Sequence, residues 1–240
     1  MLASSVAALA EPTARTTIGA SVAGETLGDG VSDGREQAVR VRRDFGARKA
    51  GQLGVSRMRR FGLSDTQISG SALWPMGEKL TASVDASVSG THRVAPRHAV
   101  GGTLQYAFNR GWYVRGGVRD TRYVDQRVKQ GTLALEHDFK DIGVTLAWLP
   151  TRAFGVTAHS YAVQTAWYYG ERDSVNLTLA TGREATPMAQ GVVLGKVQAV
   201  GIGGRHAITP AWAASYGLSY SRQSELYTRK GLNVGLAYSY

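Results

Sequence analysis

The closing segment, Gly231–Tyr240 (GLNVGLAYSY), alternates at every residue between bulky and small side chains. Leu232, Val234, Leu236, Tyr238 and Tyr240 share one face of an extended strand, and Gly231, Asn233, Gly235, Ala237 and Ser239 share the other. Successive side chains of a strand point to opposite sides, so this strand is greasy on one side and small or polar on the other. A strand that runs to the last residue and ends on an aromatic fits a sheet whose large side chains meet hydrocarbon and whose small ones meet a wet lumen. A transmembrane helix is excluded, because no apolar run reaches the roughly 18 residues it needs.

The same period recurs upstream. Trp212, Ala214, Tyr216, Leu218 and Tyr220 oppose Ser215, Gly217, Ser219 and Ser221; Val175, Leu177 and Leu179 oppose Asn176, Thr178 and Ala180. Ile142, Val144, Leu146 and Trp148 oppose Gly143, Thr145 and Ala147, while Leu80, Val84 and Val88 oppose Thr81, Ser83, Asp85, Ser87 and Ser89. The stretch 191–204 is muddled and reads as a bulged strand. From about Thr16 the pattern predicts about fourteen strands, each of some 9–11 residues plus a turn, with twelve or sixteen compatible with the same spacing.

Connections are expected to alternate between tight turns (Gly46–Lys49, Met76–Lys79, Asn109–Gly111, Lys140–Asp141, Gly170–Asp173) and longer polar loops (Gly28–Arg35, Gly90–Arg97, Arg119–Arg127, Gly182–Gln190, Arg222–Arg229). Such alternation distinguishes the periplasmic and extracellular sides of a barrel. Trp74, Phe108, Trp112, Phe139, Trp167, Tyr169 and Trp212 fall near strand ends as half of an aromatic girdle. A soluble sandwich would put Lys, Glu, Thr or Asp on the face opposite the apolar one. Here that face is Ser, Gly, Ala, Thr, Asn and Gln. The fold class is therefore all-β: a closed antiparallel transmembrane β-barrel over residues 11–240, in a bacterial outer membrane.

The first ten residues, MLASSVAALA, read as the remnant of a secretory signal with an A-x-A site at Ala8-Leu9-Ala10, and residues 1–10 are set apart from the fold. With no cysteine there is no disulfide, thiolate metal site or thiol nucleophile. The five histidines show no HxH or HExxH spacing, so neither a metal nor another cofactor is expected.

The formal charge is +10. Arg40, Arg42, Asp44, Asp85, Arg115, Arg119, Glu136 and Asp138 fall on the inner face, with Arg115 or Arg119 expected to pair with Glu136 or Asp138 on the next strand. They read as a lumen charge network, either rigidifying the barrel or offering a path to anions. Arg57, Arg59, Arg60, Arg93, Arg97, Arg122 and Arg127 gather at the extracellular end. There they read as a rim contacting lipopolysaccharide phosphates, since guanidinium groups bind phosphate in bidentate fashion, or as a solvated collar. Arginines dispersed over many turns are no nucleic-acid footprint. No enzyme is expected: His159 and Ser160 point to opposite faces, and no serine sits in a Gly-x-Ser-x-Gly elbow.

Arg57–Asp65 (RMRRFGLSD), the Trp74-Pro75 hairpin, Gly111-Trp112, Leu135-Glu136 and Tyr168–Gly182 (YYGERDSVNLTLATG) with Arg183-Glu184 together resemble the YaiO family of outer-membrane β-barrels. The resemblance implies an integral outer-membrane protein with no catalytic residues to carry over. The chain is more distantly similar to the barrels of exopolysaccharide-export porins, which carry a periplasmic helical-repeat segment before the barrel. Only a short stretch separates Ala10 from the first strand here, so export would need a separate periplasmic partner. Expected partners are outer-membrane lipid, lipopolysaccharide, a polysaccharide or export component, and the barrel-assembly machinery through the strand ending at Tyr240. The expected role is a narrow channel or the membrane component of a surface-polysaccharide system. A structural or adhesive barrel with a self-filled lumen comes second and a lipid-active enzyme third.

Overall fold

The computed structural model describes residues 14–28, 33–170, 172–188, 191–224 and 226–240. Its strands are β1 (Arg15–Leu27), β2 (Gly34–Gly46), β3 (Lys49–Arg60), β4 (Leu63–Pro75), β5 (Leu80–Ser89), β6 (His98–Asn109) and β7 (Trp112–Arg122), followed by β8 (Arg127–Phe139), β9 (Ile142–Ala153), β10 (Val156–Tyr168), β11 (Ser174–Met188), β12 (Gly191–Ala207), β13 (Trp212–Gln223) and β14 (Tyr227–Ser239). Each strand pairs antiparallel with its sequence neighbours, and β14 returns to β1 to close the barrel. The expected count of fourteen holds. The apolar segment 1–10 lies outside the described residues.

Closure follows from the solvent. In hydrocarbon an unpaired backbone N–H or C=O costs several kcal/mol, and only a sheet without edges avoids that cost. The seam runs from Thr17 opposite Ser239 to Leu27 opposite Arg229. Thr16 and Tyr240 extend it by exchanging two backbone hydrogen bonds of 2.9 Å. On the inner face, the Thr17 and Ser239 hydroxyls meet at 2.9 Å.

The faces are inverted relative to a water-soluble protein. Every buried hydrophobic residue among those described is an alanine, while Leu53 (69% exposed), Val118 (73%), Leu236 and dozens of other large apolar side chains stand outside. Water would not tolerate such a continuous apolar surface; lipid requires it. The alternation in β14 has this orientation, with Leu236 outside opposite Ala20 and Ala237 inside opposite Gly19.

Two expectations are corrected. First, loop length does not distinguish the two ends. At the rim opposite the chain termini, β3 turns into β4 through Phe61-Gly62 alone and β9 into β10 through Phe154-Gly155. Arg119–Arg127 and Gly182–Gln190 are largely strand, because β7 runs to Arg122 and β11 to Met188. The strands outrun the apolar band, and above it both faces carry polar residues, so the end of the pattern marks the end of the lipid and not of the strand. Phe61 (φ 53°) with Gly62 (φ 74°), and Phe154 (φ 51°) with Gly155 (φ 80°), are left-handed pairs that make tight hairpin turns.

Second, the stretch 191–204 is strand without a register shift, paired with β11 throughout and with β13 from Val197 on. Its pattern blurs because Val193 and Val197 point inward beside outward Leu194, Val200 and Ile202. The register shifts lie elsewhere, at Asp44/Gly46 and Ala107/Asn109. A further gap in the β8–β9 ladder falls at Pro150, which has no N–H to donate.

Candidate functional site

Three features of the wall carry chemistry: the lumen, one folded-in connection, and the outer face of the rim away from the termini.

The lumen is divided into two arcs. From β2 to β8 the inner face carries Arg40, Arg42, Asp44, Asp85, Arg115, Arg119, Glu136 and Asp138, all inward as their alternation requires. Arg115 is paired with Glu136, and the two residues are only 9% and 4% exposed. Gln105 Nε2 donates a second contact, to Glu136 Oε2 at 2.9 Å. Arg42 holds Asp44 through Nε (2.9 Å) and a second nitrogen (2.7 Å), and Arg40 lies 3.8 Å from Glu36 while donating to Ser21 Oγ at 3.1 Å.

Arg119 departs from expectation. Its partner is Asp85, two strands away, and not an acid on β8. Asp85, Gly101 and Arg119 stand level on β5, β6 and β7, so the ion pair must pass over Gly101. A Cβ at Gly101 would lie 2.5 Å from Asp85 Oδ1 and 3.2 Å from the Arg119 guanidinium. The missing side chain is what lets the pair form. Unlike Arg115–Glu136, this pair faces water, with side chains 40% and 43% exposed.

From β9 round through β14 to β1, the middle of the wall is uncharged. Gln164, Asn176, Thr178, Ser215, Ser219 and Asn233 share it with glycine and alanine, and Ser215, Ser219 and Asn233 are exposed although they point inward. Charges return only near the rims: Glu25, for example, takes Arg60 at 2.6 Å and lies 3.8 Å from Arg229.

The connection between β5 and β6 is folded against the inner side of β4 by Asp65. This carboxylate, with no exposed side-chain surface, accepts hydrogen bonds from the Thr91 hydroxyl and from the backbone N–H groups of Val94 (2.7 Å) and Ala95 (2.8 Å). Arg93 adds a donor to Ser64 O at 2.9 Å and approaches Asp65 at 3.8 Å. Ser89 Oγ donates to Pro96 O at 2.8 Å and meets His92 Nδ1 at 3.0 Å. With its proton on a carbonyl, buried Ser89 serves the loop and is no activated nucleophile. The sequence reading missed both Asp65 and this serine–histidine contact. The signal for Asp65 was its place at the end of Arg57–Asp65, an inward acid just past the tight turn at Phe61-Gly62.

The outward faces of the two rims differ. Near the termini, Phe108, Trp112, His137 and Phe139 form a ring chain, with Trp112–His137 and His137–Phe139 centroids each 4.0 Å apart. Trp212, Tyr238 and Tyr240 form a separate ring chain on the same rim. His137 is thus a member of an aromatic belt, with Nδ1 3.0 Å from Gly111 O. The opposite rim is basic. Arg57, Arg59, Arg122 and Arg127 project outward there with Arg35, Lys129 and Arg152. Arg127 is bound by Asp120. Arg60 instead points inward to Glu25, Arg93 belongs to the folded-in connection, and Arg97 is exposed at its end. Among the described residues, no group of three or more His, Asp or Glu could hold a metal ion.

The family model of the YaiO membrane beta barrel domain matches residues 16–186. The chain belongs to the YaiO family. It is an outer-membrane β-barrel, and β12–β14, which close it, lie beyond the matched stretch. No curated protein is significantly similar in sequence. Among solved structures this YaiO-family barrel is similar to the CymD monoaromatic hydrocarbon channel (TM-score 0.57, 11% identity, covering 94% of this chain and 87% of that one). It is also similar to OmpF of Salmonella typhi, determined with daunomycin (0.53, 10% identity, 95% and 97% covered), and to the anion-selective porin from Comamonas acidovorans (0.50, 10% identity, 95% and 99% covered). At such identities the likeness shows the fold: a porin-like barrel. Bacterial barrels of this class place both termini in the periplasm, so the aromatic rim is periplasmic and the basic rim extracellular.

Proposed function

We propose that the barrel is a narrow aqueous channel for small hydrophilic solutes with little preference between anions and cations. The observation that supports it most is the exposure of Ser71, Ser215, Ser219 and Asn233 on the inside of the wall, together with the water-facing Asp85–Arg119 pair. Side chains that face inward yet reach solvent leave room for water along the axis. A specific anion path would need uncompensated bases, whereas Arg115, Arg119, Arg42 and Arg40 each have a carboxylate in reach. The excess of +10 is instead carried largely by the rims and outer face, away from the solute.

Passage of a glycan is the second reading, and the neutral arc favours it: hydroxyl and amide side chains match sugar hydroxyls without demanding charge. Conductance in planar bilayers tests both. Stable steps with a cation-to-anion permeability ratio near one support the channel, and silence at high protein loading rejects it. Reversible block by neutral oligosaccharides, absent for monosaccharides, supports the glycan path.

A further inference from the structure

The outer wall carries a groove of about 610 Å³ across β14, β1, β2 and β3, with Arg57 at its upper end. Its origin lies in the outward column of β1. Ala20 stands between Leu236 on β14 and Val39 on β2, so a low floor lies there between two higher walls. Above it Val22 stands outward between Val234 and Gln37, and Gly24, one step nearer the extracellular rim, is bare again, with nothing within 4 Å of an added side chain.

Where the floor ends, three bases converge. Arg35 lies beside Gly24 and directly opposite Arg59, and Arg57 is opposite Gln37 two residues below. Like charges directly opposite across a ladder are unfavourable. Arg127 on the far side of the barrel has Asp120 to neutralise it, with contacts of 2.5–3.0 Å. Among the described residues, Arg35, Arg57 and Arg59 have no such acid.

We infer that this groove seats one phosphorylated, multiply acylated lipid of the outer leaflet, its acyl chain along Ala20 and its phosphate on Arg35, Arg57 and Arg59. The order of chemistry fixes the occupant. The apolar part lies at the depth of the hydrocarbon and the cationic part at the depth of the headgroups, and forked guanidinium donors match phosphate oxygens. A free phosphate would leave the floor empty. A second copy of this chain would bring the same three arginines against one another. The inference stands apart from conduction, which concerns the other face of the wall.

The test uses the full chain, refolded in an uncharged detergent and freed of lipid, with bisphosphorylated hexa-acyl lipid A as the probe and native mass spectrometry as the readout. The expected result is one lipid A per barrel and a raised thermal midpoint. Dephosphorylated lipid A should bind at least about tenfold more weakly. The same loss is expected for the variant Arg35→Gln/Arg57→Gln/Arg59→Gln, and inorganic phosphate should leave the midpoint unchanged. Ala20→Leu, which raises the floor with a lipid-compatible side chain, should also weaken binding, while Arg122→Gln/Arg127→Gln should retain it. Heat-modifiable migration on a gel verifies that each variant is folded. Equal binding of phosphorylated and dephosphorylated lipid, undiminished binding by the folded triple variant, or a wild-type dimer that lipid A fails to displace would each overturn the inference.

Discussion

The arc from β2 to β8 and the arc from β9 through β14 to β1 line one lumen under one alternation, yet they hold themselves together differently. The first relies on reciprocal charge: Arg115 with Glu136, Arg119 with Asp85, Arg42 with Asp44. The second relies mainly on the backbone ladder, supplemented by neutral contacts between inward side chains such as Thr17–Ser239 and Gln223–Thr186. Pairing lets one wall project long side chains without leaving buried charge uncompensated. Small residues keep the other wall thin, and that thinness makes space for water. A barrel with two charged arcs would fill its lumen; with two neutral arcs it would be wider but unbraced.

The largest effect should come from breaking the buried brace. Glu136→Gln leaves Arg115 without its counter-charge in a site where both are nearly inaccessible. A loss of about 3–5 kcal/mol is expected from removing one partner of such a pair. Urea unfolding of the folded barrel, followed by tryptophan fluorescence, measures it. Arg115→Met combined with Glu136→Gln should recover most of the loss, because the uncompensated charge is then gone. A single variant as stable as the wild type would mean the charged arc is not braced by charge.

On the neutral arc, the cost of a charge should depend on the face and not on the strand. Leu236→Arg puts a guanidinium into lipid near the middle of the apolar band and should cost about 2–4 kcal/mol, with loss of the heat-modifiable form. Asn233→Arg, on the inner face of the same strand, should assemble normally, since Asn233 already meets water there. Equal damage from the two would remove the distinction between the faces.

Much of this was legible in the residues. The face of Leu236, the inward set from Arg40 to Asp138 and the aromatic rim all follow from a period of two, because that period is a property of the backbone itself. What was not legible depends on contacts across strands. Arg119 finds Asp85 only because Gly101 between them lacks a side chain, and neither the register nor that notch is visible from one strand at a time. Arg60 and Arg59 are neighbours in sequence with opposite fates, one bound to Glu25 inside and one on the outer face opposite Arg35. The alternation that sorts residues lower on the wall separates these two as well. Loop lengths failed for a related reason: polar residues continue in strand conformation above the lipid.

The distal mouth sharpens the same contrast. Over the charged arc, Asp65 holds the connection 90–97 inward, whereas on the neutral side the β9–β10 turn is the bare pair Phe154-Gly155. Asp65→Ala should cost about 2 kcal/mol through loss of hydrogen bonds to a charged acceptor. It should also make the chain cleavable within 90–97 by a protease added to intact vesicles. Asp65→Asn keeps one acceptor oxygen and should fall between the two. Cleavage at 154–155 should not change, because nothing there depends on Asp65.

The smallest energetic effect, and the most telling about the lumen, belongs to Asp85 and Arg119. Both side chains are about two-fifths exposed, so solvent screens the pair and either single variant should alter stability by no more than about 1 kcal/mol. Conductance should respond with opposite signs. Asp85→Asn frees the Arg119 charge and should shift permeability towards anions; Arg119→Gln frees Asp85 and should shift it towards cations. The double variant should return to the weak preference of the wild type, and the single-variant shifts should shrink as salt is raised and the screening length falls. Gly101→Val offers an independent route, since its side chain would occupy the space the pair crosses and uncouple both charges without removing either. If the two single variants move permeability in the same direction, or neither moves it, the pair does not face the conducting path and the water must run elsewhere along the neutral arc.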